Sequence, residues 1–434
     1  MKTNVKKPHL YTHEGAIAKH INPELQLRRS VMACLLFEKG FYEDGEDVAA
    51  RIAKTIPLVG PEIVAAIAVE AREKMKLRHM PLFIVREMAR LKTHRHLVAS
   101  TLERVIQRTD ELSEFMSLYW KDKRQPLSAQ VKKGLAAAFV KFNEYALAKY
   151  NRDSVVKLRD VLFLSHAKPK DDAQAALWKR LIAGELVIPD TWEVALSTGK
   201  NKKTTWERLI SEGKLGGLAM LRNLRNMKEA GVSEKVVFDG LNGMKTERIL
   251  PFRFISAAKY APQWEAQIEP VMLKCLEGKA KLPGKTALVV DGSGSMFGTP
   301  ISARSEIDRF EAAAALAILA REICENCVVV VFSNGASIVP ARRGFALRDA
   351  LYAQAERGGT NTQNGIMKAA QEGYDRIVVL TDEQSHQAIN NPLINTKAYV
   401  INVACNKNGI GYGDFNHIDG WSEAVLDYIT AVEM

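Results

Sequence analysis

The apolar positions of the chain follow two different periods, and the change falls near residue 283. Before it, apolar residues recur at the spacing of amphipathic helices, with turn residues such as Gly40, Gly184 and Gly231 between the segments. The segments are short, paired and too numerous for one four-helix bundle, so they predict an α-helical repeat solenoid, although no fixed-period repeat is visible. The predicted helices are residues 61–71, 81–91, 98–107, 111–120, 128–150, 173–183, 192–196 and 215–228.

From residue 284 onwards, short continuous apolar runs alternate with helical segments. The runs at residues 286–290, 328–332, 377–380 and 398–403 are typical of parallel strands that are buried on both faces. Helical segments at residues 309–324, 345–355 and 364–371 lie between them. The sequence therefore predicts two domains, a helical-repeat domain over residues 1–283 and a doubly wound α/β domain over residues 284–434, with functional residues at the carboxyl ends of the strands.

The charged residues are distributed unevenly between these two parts. The 434 residues include 61 Lys and Arg against 50 Asp and Glu, which gives a net charge of +11. Residues 285–434 hold 12 basic and 17 acidic residues, so the first 284 carry a net charge of +16. This asymmetry makes the helical part a candidate for binding a polyanion such as nucleic acid.

Several classes of protein are disfavoured by composition. No apolar run approaches the roughly 18 residues of a membrane-spanning helix, and the basic N-terminus is not followed by the apolar segment of a secretory signal. Five scattered cysteines do not form a disulfide framework, so a reduced, cytoplasmic protein without a membrane partner is expected. The cysteines are Cys34, Cys275, Cys324, Cys327 and Cys405.

The sequence argues against three kinds of site: a phosphate-binding loop, a zinc or redox cysteine pair, and a catalytic histidine motif. The stretch 278–286 ends like a phosphate-binding loop, but five residues separate Gly278 from Gly284 where that motif has four, and a strand follows it. Cys324 and Cys327 have no second pair at zinc spacing, and packing cysteines are expected. None of the nine histidines lies in a nucleophile or metalloprotease motif, so no enzyme activity is expected.

The strongest chemical motif directly follows the first predicted strand. Asp291, Ser293 and Ser295 alternate with glycines on one short loop, and Thr360 and Asp382 could add two further oxygens. An octahedral set of oxygen ligands suits a hard divalent cation, Mg²⁺ above all. A helix N-cap rich in Ser and Gly has the same local pattern. The presence of all three segments in order favours the metal site.

This set resembles the metal-ion-dependent adhesion site of the von Willebrand factor A fold, and all five positions match. The resemblance implies that Ser293 and Ser295 ligate the ion directly. It also implies that Thr360, Asp291 and Asp382 act directly or through water, and that a sixth position stays open for an acidic group of a partner.

Four clusters of basic residues lie in the helical part, interleaved with apolar positions. A single cluster is usually a solvated helix face, but four clusters on one stacked array predict a continuous phosphate-binding surface whose affinity falls with salt. The clusters are residues 72–96 with Arg90, His94 and Arg95; residues 121–133 with Lys123 and Arg124; residues 149–170 with Lys149, Arg152 and His166; and residues 200–203 with Lys202 and Lys203.

The segment Leu-Ser-His-Ala-Lys-Pro at residues 164–169, preceded by Arg-Asp-Val-Leu at 159–162, resembles a signature of the TROVE module of the Ro autoantigen family. Leu-Arg-Asn-Leu at 221–224 and Pro-Phe-Arg at 251–253 resemble the same module. The family joins a ring of HEAT-like helical repeats to a von Willebrand A-like domain in this order. The resemblance therefore covers nearly the whole chain and implies a solenoid closed into a ring.

The resemblance implies a ribonucleoprotein component that acts in RNA quality control, decay or maturation. Family members bind Y-type small RNAs on the outer basic face and 3′ ends of misfolded non-coding RNAs through the central hole, and bacterial relatives work beside an exoribonuclease. Lys149 and His166 match positions implicated in Y RNA contact. A third family position, an Arg, is Asp153 here, with Arg152 one place earlier. Without the family match, His166 would be read as a helix-end residue.

Two alternatives from other classes stay open. The chain could be a protein-interaction adaptor that uses the metal site, with an incidental basic surface, or an enzyme that hydrolyses its substrate at an open Mg²⁺ site. Salt-dependent RNA retention distinguishes the first alternative from RNA binding, and RNA cleavage lost on mutating Asp291 would support the second. The free protein is expected to be a monomer.

Overall fold

The computed structural model describes residues 10–12, 15–18, 21–32, 45–151, 154–197, 201–246, 249, 252–301, 306–404, 409–411, 413–420, 426, 429–430 and 433. The chain forms two compact units. The helical unit is Ala49–Thr205, and the sheet unit combines Met1–Val48 with Trp206–Met434. The predicted domain boundary at residues 283 and 284 falls inside the sheet unit, where helices give way to strands. In the part of the chain described here, no helix is long and apolar enough to cross a membrane.

The first described elements are two short strands and a helix. They are β1 (Leu10–Tyr11), β2 (Ile17–Ala18) and α1 (Pro23–Met32). The strands β1 and β2 pair in antiparallel fashion. Asn22 precedes α1, and its side-chain Oδ1 accepts from the Leu25 amide at 2.8 Å, which satisfies one of the free donors of the first turn.

The helical unit consists of short helices, most of which pack on neighbours close to them in the chain. For example, α3 packs on α4 and α5, α5 on α7, and α7 on α9. The predicted array of short helices is confirmed in these contacts; the closure of a ring stays a prediction. The helices are α2 (Gly45–Thr55), α3 (Pro61–Glu73), α4 (His79–Arg90), α5 (Val98–Val105), α6 (Asp110–Tyr119), α7 (Ala129–Val140), α8 (Glu144–Tyr150), α9 (Leu158–Ser165), α10 (Asp172–Ala183) and α11 (Trp192–Ser197).

Helix α7 shows how the sequence produces this packing. Its buried residues recur at helical spacing, and Ser128 caps its N-terminus by accepting from the Val131 amide at 3.3 Å. At Gly134 an added Cβ would lie 2.9 Å from the Ala99 carbonyl oxygen and from Leu102 Cβ. Only glycine allows α5 and α7 to approach this closely. The buried residues are Val131, Gly134, Leu135, Ala138 and Phe139.

Two predicted helices are each interrupted. The helix predicted over residues 128–150 ends at Val140, and α8 begins after Asn143, whose Oδ1 accepts from the Ala146 amide at 2.9 Å. The helix predicted over residues 215–228 breaks at Asn223, whose Nδ2 donates to the Ala219 carbonyl at 2.8 Å. In both cases an Asn side chain bonds to nearby backbone in a way that competes with a continuous helix.

Six helices begin after the helical unit or at its end. They are α12 (Lys202–Ser211), α13 (Gly217–Arg222), α14 (Leu224–Glu229), α15 (Glu234–Gly243), α16 (Phe252–Tyr260) and α17 (Glu265–Lys274). Most of their mutual contacts join α13, α14 and α15 to α16 and α17. Trp264 lies between α16 and α17, is almost fully buried and donates from Nε1 to Glu234 Oε1 at 3.0 Å. An apolar indole with a satisfied polar edge suits such a position.

The remaining chain forms a six-stranded sheet with helices between its strands. The strand order is β5-β4-β3-β6-β7-β8, parallel except for β5, which pairs antiparallel with β4. The predicted α/β domain is confirmed as a mixed, largely parallel sheet. The elements are β3 (Leu282–Asp291), α18 (Arg309–Ile323), β4 (Cys324–Phe332), β5 (Ala336–Ile338), α19 (Gly344–Gln354), α20 (Thr362–Glu372), β6 (Arg376–Thr381), β7 (Lys397–Asn402) and β8 (Asn416–Asp419).

Apolar side chains cover both faces of the central strands. Ala287 and Val289 of β3 belong to a buried cluster that includes Ile366 of α20. Leu288 and Val290 alternate with them, point to the opposite face and are fully buried as well. Helix α18 packs on β3, β4 and β6. Burial on both faces explains why these strands are continuous apolar runs in the sequence.

The N-terminal elements pack on the sheet of the same unit. Thr12 Oγ1 donates to the Ser385 carbonyl at 3.3 Å, and α1 contacts β8. From α1, Arg29 Nη1 lies 2.7 Å from Glu383 Oε2, and His417 Nδ1 of β8 lies 2.6 Å from the other carboxylate oxygen, Oε1. All three side chains are at most 3% exposed. This buried ion cluster ties α1 to the loop that follows β6.

Candidate functional site

Two neighbouring strands bring the predicted carboxylates together. Asp291 is the last residue of β3, and Asp382 directly follows β6. The two strands are paired, with Val290 opposite Leu380. The connections on the two sides of this pair run in opposite directions across the sheet, which makes the carboxyl ends of β3 and β6 the switch point where α/β sheets place their ligands. Both carboxylates are fully buried.

Hydrogen bonds join four of the five predicted site residues. Asp291 Oδ1 accepts from the Ser293 amide at 2.9 Å, and its Oδ2 accepts from Thr381 Oγ1 at 2.6 Å. The hydroxyl oxygens of Ser293 and Ser295 lie 3.3 Å apart. Ser295 Oγ donates to Asp382 Oδ2 at 2.8 Å. The loop after β3 therefore presents its hydroxyls to the carboxylate that follows β6.

Thr360, the fifth residue, belongs to a loop that lies against the same place. The Gly294 amide donates to the Gly358 carbonyl at 2.8 Å, two residues before Thr360. Thr360 is buried, and its carbonyl accepts from Ser385 Oγ at 3.2 Å and from the His386 amide at 3.1 Å. Among the described contacts, none joins the Thr360 hydroxyl to the other four residues. Its predicted role as a ligand stays a prediction.

Burial and mutual repulsion dominate the electrostatics of the carboxylate pair. Burial, and next the charge of Asp382, raise the pKa of Asp291 to about 7, although hydrogen bonds from Thr381 and Ser293 oppose this. Arg309, the first residue of α18, places Nη1 3.3 Å from Asp382 Oδ2. Arg309 is not among the site residues that the sequence predicts. Its position after Asp308, the N-cap of α18, marks a helix start but gives no sign of the contact 73 residues away.

The donor set fits a hard divalent cation. Two oxygens that occupy adjacent corners of an octahedron at about 2.1 Å from Mg²⁺ lie roughly 3.0 Å apart, close to the 3.3 Å between the Ser293 and Ser295 hydroxyls. One guanidinium accompanies two buried carboxylates, which leaves one negative charge without a described counter-ion. In the part of the chain that the structure describes, no group of three or more His, Cys, Asp or Glu could hold a metal. An ion here would depend on the hydroxyls.

The cysteine pair lies elsewhere, at the start of β4. Cys324 is buried, and burial raises the pKa of the Cys327 thiol to about 12. A thiol with a raised pKa is protonated at neutral pH and is therefore a poor nucleophile. The prediction of packing cysteines agrees with this environment.

Lys149 and His166, the predicted RNA contacts, have different neighbours in the helical unit. Lys149 Nζ lies 6.0 Å from the ring centroid of Tyr145 and 5.7 Å from that of Tyr150, over which Arg108 also lies. His166 ends α9 in the left-handed conformation, with φ of 54°, and is exposed. Its Nε2 lies 3.4 Å from Lys132 Nζ. The two tyrosines and Arg108 are not among the residues that the sequence predicts to bind RNA.

The other predicted RNA-binding residues divide by exposure and pairing. Arg90 pairs with Glu87 and Asp122 at 3.2 and 2.8 Å. His94 is only 1% exposed and its Nδ1 lies 2.9 Å from Thr93 Oγ1, so its burial argues against a role in RNA contact. Arg152 lies outside the described residues. The exposed members are Arg95, Lys123, Arg124, Lys202 and Lys203.

Arg124 resembles Lys149 in its surroundings. Its guanidinium lies 5.0 Å from the ring centroid of Trp120, whose Nε1 donates to the Gln125 carbonyl at 2.8 Å. A cation held over an aromatic ring keeps its charge accessible while its stem is ordered. Exposed cation and aromatic pairs of this kind can contact both phosphate and base.

The net positive charge is confined to the helical unit. Ala49–Thr205 contains 29 basic and 17 acidic residues, a net charge of +12. The rest of the chain contains 32 basic and 33 acidic residues, a net charge of −1. The surplus of basic residues is therefore concentrated in Ala49–Thr205, a shorter segment than the predicted basic domain over residues 1–283.

Part of the chain matches a known protein family, and the fold as a whole is similar to a solved structure. Residues 172–281 match the family model of the TROVE domain. The match includes the Leu-Arg-Asn-Leu and Pro-Phe-Arg segments but begins after Lys149 and His166. The fold is similar to the crystal structure of the Deinococcus radiodurans RO (RSR) protein, with a TM-score of 0.59 and 18% identity, over 94% of this chain and 99% of that one.

Curated relatives match shorter parts. Telomerase protein component 1 of Mus musculus is 40% identical over 100 residues, 21% of this chain and 4% of that protein, and its Rattus norvegicus counterpart is 39% identical over the same length. Uncharacterized protein sll0103 of Synechocystis sp. is 28% identical over 184 residues, 39% of this chain and 41% of that protein. The chain therefore spans less than half the length of each of these relatives.

The chain contains a TROVE segment and has the fold of a Ro protein. The resemblance to the Ro family that the sequence indicated is confirmed.

Proposed function

We propose that this chain is an RNA-binding protein of the Ro ribonucleoprotein type and that the helical unit provides the RNA-binding surface. The observation that carries the proposal is the confinement of the net positive charge to Ala49–Thr205, with +12 there and −1 elsewhere. A surface with a surplus of positive charge attracts a polyanion, and this attraction supplies the part of the binding affinity that does not depend on the nucleic-acid sequence. The TROVE segment at residues 172–281 supports the choice of RNA as the polyanion.

In the described ion pairs of the unit, the cations that hold acidic side chains are arginines and histidines, not lysines. Several acidic side chains are engaged by arginines, as in Glu111 with Arg72 at 2.7 Å and Glu144 with Arg180 at 2.7 Å. Lys149 instead contacts aromatic rings, and Lys132 lies beside His166. Exposed cations without a carboxylate neighbour gain most from a phosphate, since they give up no existing ion pair.

The finer part of the proposal follows the family resemblance. Y-type small RNA would bind at the face that carries Lys149 and His166, and 3′ ends of misfolded non-coding RNA would enter a ring formed by the helical repeats. The protein would then act beside an exoribonuclease in RNA quality control, decay or maturation. The cations beside the exposed ring of Tyr145 and the half-buried ring of Trp120 support contact to unpaired bases.

Filter binding over a salt series tests RNA binding itself. The purified full chain is titrated against a structured Y-type RNA and against an unstructured single strand at several salt concentrations. We expect log affinity to fall linearly with log salt, by about 0.7 to 0.9 per phosphate contact. Tight binding with a slope near zero would refute the basic surface. Absence of salt-dependent RNA retention would favour the adaptor alternative, with its incidental basic surface.

We propose, as a second function, that the sheet unit binds an acidic group of a protein partner through a divalent cation. The specific observation in its favour is the buried pair Asp291 and Asp382 next to the hydroxyls of Ser293 and Ser295. These four residues, with Thr360, would hold Mg²⁺. The ion would supply an electrophilic position for a carboxylate. The chain's own part is to exclude water from the carboxylates and to orient the hydroxyls by the Ser295–Asp382 bond.

Calorimetric titration of Mg²⁺ into the full chain tests this second function. We expect binding in the wild type that is lost in Asp291→Asn. Asp349→Asn is the matched control, because Asp349 is exposed and pairs with Arg348 away from the loop after β3. Equal binding by the wild type and Asp291→Asn would mean that the ion lies elsewhere.

A further inference from the structure

A guanidinium lies beside the oxygen cluster at the ends of β3 and β6. Arg309 Nη1 is 3.3 Å from Asp382 Oδ2 and 3.5 Å from the Ser295 carbonyl oxygen. The side chain is 4% exposed. Asp308 begins α18 with a capping box that includes Glu311, which fixes the position of the first helical turn. Arg309 is therefore held in place by the helix from which it projects.

The Arg309 guanidinium stabilises the negative charge of the buried Asp382 carboxylate when no ion is present. A fully buried carboxylate without a cation is costly, and removing its partner is strongly destabilising. Asp382 Oδ2 receives both the Ser295 hydroxyl and the Arg309 guanidinium. Asp291 has no such partner among its described contacts, which are hydrogen bonds from Thr381 and Ser293. The guanidinium thus compensates one of the two charges.

The same contact opposes a divalent cation. An ion bound to the hydroxyls of Ser293 and Ser295 would lie next to Asp382, because Ser295 Oγ is 2.8 Å from that carboxylate. Arg309 would then be within a few ångströms of a double positive charge in a dry environment. Two like charges at such a separation disfavour each other strongly when water does not screen them.

We propose that Arg309 is a resident counter-ion of this site that stabilises the ion-free protein and weakens its affinity for divalent cations. The proposal rests on the metal-binding function proposed above. Its consequence is that the site binds Mg²⁺ loosely, and that the positive charge left after loading favours an acidic group from a partner. Arg309 is a positioning and affinity-setting residue, since it acts through Asp382 and is not itself a ligand.

The test compares Mg²⁺ affinity in the wild type, Arg309→Gln and the matched control Arg321→Gln by isothermal titration calorimetry. Arg321 lies at the other end of α18, where Nε donates to the Arg342 carbonyl at 2.7 Å. We expect Arg309→Gln to bind Mg²⁺ about tenfold more tightly or better, since it keeps a hydrogen-bond donor but removes the charge. Arg321→Gln should match the wild type.

Thermal unfolding gives a second readout. Without ion, Arg309→Gln should melt below the wild type because Asp382 is left uncompensated, and millimolar Mg²⁺ should raise its melting temperature more than that of the wild type. If Arg309→Gln does not fold without ion, recovery of the folded circular-dichroism signal with Mg²⁺ supports the proposal. Failure to recover contradicts it.

The outcomes distinguish this inference from the function beneath it. Mg²⁺ affinity that is equal in the wild type and Arg309→Gln, and lost in Asp291→Asn, would overturn the counter-ion and leave the metal site standing. An absence of Mg²⁺ binding in every variant would overturn the metal site and the counter-ion together.

Discussion

The helical unit and the sheet unit use their charged residues in different ways. In Ala49–Thr205 the surplus is positive, and many ion pairs, such as Arg104 with Glu73, are exposed. In the sheet unit the net charge is close to zero, yet the pairs formed by Glu383, Asp382 and Glu433 are buried. Exposed ion pairs are screened by water and salt and stabilise the fold little, but a surplus of exposed charge of one sign attracts oppositely charged ligands. A buried charge is not screened and therefore needs an oppositely charged partner close to it. The comparison teaches that total charge identifies a binding surface, while burial identifies a site.

The largest effect is expected at the buried cluster of the sheet unit. Arg29→Met leaves the buried Glu383 with His417 and the Gly411 amide as its described partners, and breaking a buried pair from one side costs about 3–5 kcal/mol. Denaturant unfolding should show a loss of this size. The matched control Arg104→Met in the helical unit removes an exposed pair and should cost less than about 1 kcal/mol. Equal losses of unfolding free energy in the two variants would contradict the distinction between buried pairs in the sheet unit and exposed pairs in the helical unit.

The next largest effect concerns RNA. Lys149→Ala combined with His166→Ser removes a charge and a hydrogen-bonding ring, contacts worth about 1 to 3 kcal/mol each. Filter binding should show affinity for a structured Y-type RNA reduced about tenfold or more, with affinity for a single-stranded 3′ tail kept. Because the two residues have different neighbours, each single variant should contribute separately.

Two outcomes would contradict that prediction. Equal loss of both RNAs, with an unchanged circular-dichroism spectrum, would mean one shared surface. No loss of either would return His166 to the role of a helix-end residue. Lys368→Ala in the sheet unit is the control, since Lys368 Nζ contacts only Gln371 Oε1 among the described hydrogen bonds.

A smaller effect is expected from single cations of the surface. Arg124→Ala should weaken binding to all RNA sequences alike and lower the salt slope by about 0.7 to 0.9, the share of one phosphate contact. Arg90→Ala should change the slope less, because Arg90 is already paired with Glu87 and Asp122. Salt titrations of the two variants measure the difference. A larger change in Arg90→Ala would mean that pairing within the unit does not decide which cations meet RNA.

The smallest change in RNA affinity is expected for a variant in the sheet unit. Asp291→Ala removes a buried carboxylate of the sheet unit, and we expect its RNA affinity to stay within about twofold of the wild type, since the basic surface lies in the helical unit. Binding of a carboxylate-bearing protein partner should weaken. A tenfold loss of RNA affinity in a folded Asp291→Ala protein would show that RNA binding depends on the sheet unit as well, and would contradict the assignment of RNA binding to the helical unit alone.

Much of the α/β region could be predicted because its signals are local. A continuous apolar run defines each of β3, β4, β6 and β7. A residue that directly follows such a run must lie at the carboxyl end of a strand, where α/β sheets place their ligands. Asp291 and Asp382 were predicted on this ground. The strands β5 and β8 lack such runs, since β5 is a three-residue edge strand and β8 reads Asn-His-Ile-Asp. Pairing with a neighbour, not local pattern, makes them strands.

The sequence by itself determined the order of helices and strands, the charge imbalance and the carboxylates and hydroxyls at the strand ends, because each depends on neighbouring residues. Only the tertiary structure decided that His94 is buried, that Lys149 and His166 have different neighbours, and that Arg309 reaches Asp382 across 73 positions of the chain. Such contacts depend on which elements pack together. Pairing of β3 with β6 and packing of α18 on both create the site, and nothing in the residues next to Arg309 records that arrangement.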